Sequence, residues 1–132
     1  MAKRALVLID VKNDYFDRGK WPLNGMDLAT DNAAKLLASS RETGDFVIHV
    51  RHEFPADDAP FFTPNSAGAH IHSKVQPRDG EIVVLKHHVN SFRETDLEAI
   101  LDQQGIDDLV ICGAMSHMCV DAATRAASDL GY

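Results

Sequence analysis

Four short apolar runs mark out the chain: Ala5-Leu-Val-Leu-Ile9, Phe46-Val-Ile-His-Val50, Ile82-Val-Val-Leu85 and Leu109-Val-Ile-Cys112. Apart from His49 in the second, each is continuously apolar rather than alternating, the pattern of strands covered on both faces. Between the first two, helical periodicity runs from about Asp27 to Thr43. It places Ala29, Ala33, Leu36 and Leu37 on one face and stops at Gly44. Thr95-Asp-Leu-Glu98 has the form of a capping box, opening a helix through Leu97, Ile100 and Leu101 to a stop at Gly105. An alanine-rich pattern from about His117 to Leu130, capped by Gly131, predicts the last helix. Strands of this type alternating with helices predict a three-layer, doubly wound, parallel α/β sheet of Rossmann-like form, one domain over residues 1–132. The segment from Arg51 to Gly80 carries Pro55, Pro60, Pro64 and Pro77 and no clear periodicity, as a lid or binding loop would. Four strands make a small sheet for this architecture. The fourth is expected at an unprotected edge, in a C-terminally truncated chain or in a homo-oligomer that covers the edge.

Composition narrows the partners. A formal net charge of −7 argues against nucleic acid and anionic membrane. No apolar run approaches membrane-spanning length, and Met1-Ala-Lys-Arg leads into the first strand without a signal-peptide pattern. Cys112 and Cys119 do not form a disulfide framework. A cytoplasmic setting is the expectation.

Chemistry concentrates where strands end. Val110-Ile-Cys-Gly113 stops at a glycine, and Cys119 falls in the first turn of the helix that follows. A helix N-terminus lowers a cysteine pKa, so this pattern presents a nucleophile at the carboxyl edge of a sheet; it equally suits a small buried cysteine. Asp10 ends the first strand and Lys86 the third, and a parallel sheet brings both to the edge that holds Cys119. A carboxylate can take the thiol proton while an ammonium stabilises negative charge. Taken singly, an aspartate after a strand is a turn former and a lysine there is solvated. Phe16 and Trp21, with Tyr15, stand in the loop after Asp10, and Ser91 and Phe92 just past Lys86. All can wall a substrate pocket or simply pack. His52, His70 and His72 have the residue type for a zinc site, but solvated loop histidines explain them as well, and no metal is expected. Cys112 reads as inert core, His49 as a satisfied buried polar group, and Asp121 with Arg125 as a helix-face pair.

Three segments carry a family resemblance: Leu8-Ile-Asp-Val-Lys-Asn-Asp14, Val84-Leu-Lys-His-His-Val-Asn-Ser-Phe92 and Gly113-Ala-Met-Ser-His-Met-Cys-Val120, with Phe46-Val-Ile-His-Val-Arg-His52 fitting as well. In them the chain resembles the isochorismatase-like cysteine hydrolases, which include nicotinamidases, N-carbamoylsarcosine amidases and isochorismatases. The resemblance implies a catalytic triad of Asp10, Lys86 and Cys119. It also implies a cis peptide at Ala114–Met115 and an oxyanion hole from the N–H groups of Met115 and Cys119. The implied activity is cleavage of an amide or carbamoyl C–N bond in a small molecule through a thioester, without cofactor. A vinyl-ether hydrolase of isochorismatase type, or a non-catalytic binding module of the same fold, are the alternatives. The Asp-x-His metal pattern of nicotinamidases is replaced here by Arg51-His-Glu-Phe54.

Overall fold

A computed structural model describes residues 3–132. Its strands are β1 (Arg4–Ile9), β2 (Phe46–His52), β3 (Ile82–Lys86) and β4 (Asp108–Gly113), all parallel, in the order β3-β2-β1-β4. Helix α1 (Met26–Thr43) connects β1 to β2, α2 (Leu97–Gln103) connects β3 to β4, and α3 (Asp121–Asp129) follows β4. The two-residue period of β1 explains the layering. Ala5, Val7 and Ile9 face one core with Leu97 and Leu101 of α2 and Ala123 of α3. Leu6 and Leu8 face the other with Ala33 and Leu37 of α1. The sheet is thus covered on both faces at β1 and β2, but not at β3, where Val83 and Leu85 are exposed and the expectation of cover on both faces fails at this edge strand. β4 lies at one edge, and all six of its residues are half-buried, whereas β1 is buried from Ala5 onward.

Several local expectations are corrected. The capping box at Thr95–Glu98 does not close reciprocally. Thr95 Oγ1 accepts from the Leu97 N–H at 3.3 Å and donates to the Ser91 carbonyl at 2.6 Å, so the hydroxyl ties the helix start to the preceding loop instead. The last helix does not begin as α-helix at His117. Residues Ser116–Val120 form one wider π turn, with the Val120 N–H reaching back to the Met115 carbonyl at 3.2 Å, and α3 begins only at Asp121. Such turns insert a residue into the helical ladder and re-aim the side chain they carry. Upstream of it, Gly113 lies at φ 135, and a Cβ there would meet the Ile9 carbonyl oxygen at 1.9 Å. Only glycine lets the elbow close onto the end of β1.

The 51–80 segment is irregular, as expected, but firmly seated. It makes 3-10 turns at Ala67–Ala69 and Ser73–Val75 and buries Phe62, Ala69 and Val75. The Asn13 N–H bonds to the His70 carbonyl and the His72 N–H to the Val11 carbonyl. The buried Asp14 carboxylate accepts from the Phe62 N–H at 2.7 Å. The segment therefore folds back over the chain leaving β1, at the catalytically suggestive edge of the sheet.

His49 is only half the satisfied core histidine expected: its Nε2 meets Glu81 Oε1 at 2.9 Å, while its buried Nδ1 has no partner among the described residues. Glu81 also takes both Arg41 Nε (2.7 Å) and Arg41 Nη2 (2.8 Å), and its side chain is only 11% exposed. The Arg41 bonds, above all, hold the Glu81 carboxyl down at about 2. The stability this network supplies is complete above the ordinary carboxylate range and is lost as pH falls toward 2. Glu81→Ala should cost about 2 kcal/mol in urea unfolding, since it leaves the buried His49 ring unpaired and the half-buried Arg41 with only the Gln76 carbonyl. A loss of about 0.5 kcal/mol or less, typical of exposed pairs, would show that the network is solvent-relaxed.

Candidate active site

The sheet brings three of the sequence-derived residues into contact. Asp10 follows the last residue of β1 at φ 55, a left-handed conformation that turns its side chain out of the strand pattern. Lys86 closes β3, and Cys119 stands in the π turn. Lys86 Nζ lies 3.2 Å from Asp10 Oδ2 and 3.2 Å from Cys119 Sγ. Asp10 and Lys86 have no exposed surface, and Cys119 is buried. The Ala114–Met115 peptide is cis, as the resemblance implied.

His52 completes the group. It pairs with Lys86 in the β2–β3 register, and its Nδ1 meets Lys86 Nζ at 2.9 Å. The ammonium also donates to the carbonyls of His88 (2.9 Å) and Val89 (3.4 Å). A carboxylate, an imidazole and a thiol, with donor atoms within 4.8 Å of one another, form a set a divalent ion can use. Here the ammonium of Lys86 contacts all three and takes the cation's place. His52, His70 and His72 do not come together among the described residues. His52 faces Lys86, whereas the His72 ring stacks on Phe16 at 4.1 Å and accepts from the Lys74 N–H, and His70 is exposed.

Electrostatics also differ from the sequence expectation. A helix N-terminus was expected to lower the Cys119 pKa, but burial, reinforced by the Asp10 charge, pushes the thiol up to about 11. The resting sulfur is a thiol. Burial likewise raises Asp10, opposed by Lys86, then Lys12, and neither of its carboxylate oxygens has a hydrogen-bond partner among the described residues. Burial and the two lysines bring His52 down to about 3, so its ring is neutral. Because Nδ1 accepts from Lys86, the ring proton belongs on Nε2. A neutral thiol beside a carboxylate, with an ammonium bridging the two, can react by passing the thiol proton to the carboxylate as sulfur attacks.

The expected pocket residues divide. Trp21 stacks on Phe61 at 4.8 Å, Phe61 packs edge-on to Phe54 at 5.1 Å, and Phe54 packs on His52 at 4.4 Å. Trp21 therefore belongs to an aromatic wall that reaches His52. Phe16 sits apart on His72, and Phe92 turns to the α2–α3 core and stacks with Tyr132 at 6.3 Å. Ser91 is fully buried, and its hydroxyl has no hydrogen-bond partner among the described residues. Sequence reasoning missed Lys12 and the Phe54–Phe61–Phe62 wall. It considered strand ends one, three and four but not strand two, whose last residue is His52.

Comparison with known proteins bears on this site. The isochorismatase domain profile matches residues 4–132. The chain is 48% identical to the uncharacterized isochorismatase family protein YddQ of Bacillus subtilis, over 97% of its own length and 71% of that protein's. It is 34% identical to streptothricin hydrolase of Streptomyces noursei (98% of the chain, 46% of that protein). Maleamate amidohydrolase of Pseudomonas putida is 32% identical (98% and 68%). Among solved structures, one from Oleispira antarctica described as an isochorismatase hydrolase superposes with a TM-score of 0.95 at 57% identity, covering 98% of the chain and 70% of that structure. N-carbamoylsarcosine amidase from Thermoplasma acidophilum superposes at 0.91 with 26% identity (98% and 78%).

Proposed function

Since the chain belongs to the isochorismatase family of hydrolases, we propose that it cleaves a C–N bond, amide or carbamoyl, of a small molecule through a Cys119 thioester. The observation that carries this reading is the buried contact of one ammonium with both a carboxylate and a thiol, at 3.2 Å each. Two relatives whose names denote amide-type hydrolysis, maleamate amidohydrolase and N-carbamoylsarcosine amidase, support the bond class.

In this mechanism Asp10 accepts the Cys119 proton as sulfur bonds to the carbonyl carbon. The carbonyl π pair moves to oxygen, where the N–H groups of Met115 and Cys119 receive it. Donors so placed contribute about 2.7–4 kcal/mol each. Collapse of the intermediate expels the nitrogen, which takes the proton back from Asp10 and leaves as ammonia or an amine. Asp10 then removes a proton from water, which attacks the thioester and restores the thiol. Lys86 holds the two reacting groups in register and offsets negative charge on whichever bears it. Because Asp10 must be ionised and its pKa is raised by burial, kcat/KM should fall on acidification at a pH above the usual carboxylate range. A screen of small primary amides and ureido compounds for ammonia release tests the reading. Turnover of vinyl ethers with no amide turnover would replace it by the isochorismatase-type reaction.

Activity should survive prolonged dialysis against a chelator, because the Lys86 ammonium occupies the centre of the Asp10–His52–Cys119 set. Loss of turnover restored by zinc would show that an ion displaces the lysine.

A further inference from the structure

Lys12 is a buried titratable group for which the mechanism has no use. It has no exposed surface, stands two residues beyond Asp10, donates from Nζ to the His52 carbonyl oxygen, and lies 4.3 Å from the centre of the Phe62 ring. His52 thus takes one ammonium on its backbone and a second, that of Lys86, on its ring. We propose that Lys12 is a second cationic positioning residue of the site, whose charge keeps the buried Asp10 ionised and able to accept the Cys119 proton. The proposal rests on the reading of Asp10 as proton acceptor.

The surrounding charges leave Lys12 and Asp10 to act on each other. Glu53 is engaged by Arg51 at 3.2 Å. Asp14, also buried, is held by the N–H groups of Phe62 (2.7 Å) and Lys20 (3.1 Å). Burial raises the Tyr15 phenol, the His52 ring is neutral, and the thiol is protonated. The buried Asp10 thus has Lys86 at 3.2 Å and, two residues on, the equally buried Lys12, which shares His52 with Lys86. Burial lowers Lys12 to about 8, with Asp10 the largest opposing influence, so it is still charged at neutral pH. Lys12 is also, after Lys86, the next charge that offsets the effect of burial on Asp10. Desolvation alone disfavours the charged form that a base needs.

The competing account is mechanical: Lys12 only straps the His52 carbonyl and fills space on Phe62. Glutamine at position 12 separates the two, since its amide can keep the strap without the charge. The readouts are the pH dependence of Cys119 alkylation by iodoacetamide, in a Cys112→Ala background, and infrared titration of the Asp10 carboxyl, identified by its absence in Asp10→Asn. Lys12→Gln should move the acid limb of alkylation and the Asp10 titration up by about one pH unit, a tenfold loss of rate on the limb, while Lys12→Arg leaves both in place. Coupling is reciprocal, so Asp10→Asn should lower the Lys12 amine titration, followed by nitrogen NMR, by a similar amount. Unmoved limbs in Lys12→Gln, or a Lys12 titration indifferent to Asp10→Asn, would reduce Lys12 to a strap. The second measurement stands even if no Lys12 variant folds. An alkylation limb unchanged in Asp10→Asn would instead remove Asp10 as proton acceptor, and the two titrations would still decide whether Lys12 and Asp10 are coupled.

Discussion

Cys119→Ala should abolish amide hydrolysis, by about 10⁴-fold or more, while leaving the fold nearly intact. The thiol is the only nucleophile in the group around Lys86, whose other members are a carboxylate and a neutral imidazole. Its removal deletes one sulfur from a buried position, a cost of about 1 kcal/mol. Lys86 is not orphaned, because the His52 ring and the His88 carbonyl still accept from it and Asp10 stays 3.2 Å away as its counter-charge. Cys112→Ala is the matched control. Cys112 is half-buried in β4 and packs with the core on the opposite face of the sheet from Cys119, so turnover should persist after a comparable loss of packing. Ammonia release by Cys119→Ala at the wild-type rate, with wild-type circular dichroism, would refute covalent catalysis. Rapid loss of activity on iodoacetamide treatment, protected by substrate, would support it from the wild-type side.

What could be read in the sequence follows from how local each signal is. The strands were legible because β1 and β2 are covered on both faces, which demands unbroken apolar runs. Helix α1 ended where Gly44 supplies a left-handed cap at φ 77. Asp10, Lys86 and Cys119 were legible because parallel pairing forces strand ends to one edge, whatever the loops do. The same rule, applied to β2, names His52. In the sequence that residue reads as a solvated loop histidine, and only the β2–β3 register sets its ring against Lys86. The Cys119 pKa was misjudged for a different reason. A helix terminus is visible in sequence, but the burial that outweighs it depends on the whole fold. Lys12 was invisible because a lysine just past a strand is normally solvated. Its burial depends on Phe62, fifty residues away, which the 51–80 segment brings back over the strand. Glu81, the anchor for Arg41 and His49, is likewise defined only by tertiary contacts.

Asp10→Asn should lose activity by about 10³- to 10⁴-fold, at least as much as Lys86→Met, and the two variants should differ in how pH acts on them. Asparagine is nearly isosteric and accepts the left-handed backbone at φ 55 more readily than most residues, so the fold should tolerate it. It cannot take a proton, so both acylation by Cys119 and activation of water fail, and no change of pH restores either. Lys86→Met leaves the acceptor in place but removes the charge that most offsets the effect of burial on Asp10. Asp10 then holds its proton to a higher pH, and activity should recover partly as pH rises and the carboxyl ionises. Single-turnover measurements with a thioester-trapping quench separate the steps. A burst of acyl-enzyme in Asp10→Asn at the wild-type rate would deny the carboxylate its first role and confine it to deacylation. A Lys86→Met profile that stays flat and low at every pH would mean that the ammonium acts directly on the reacting atoms, beyond its hold on Asp10.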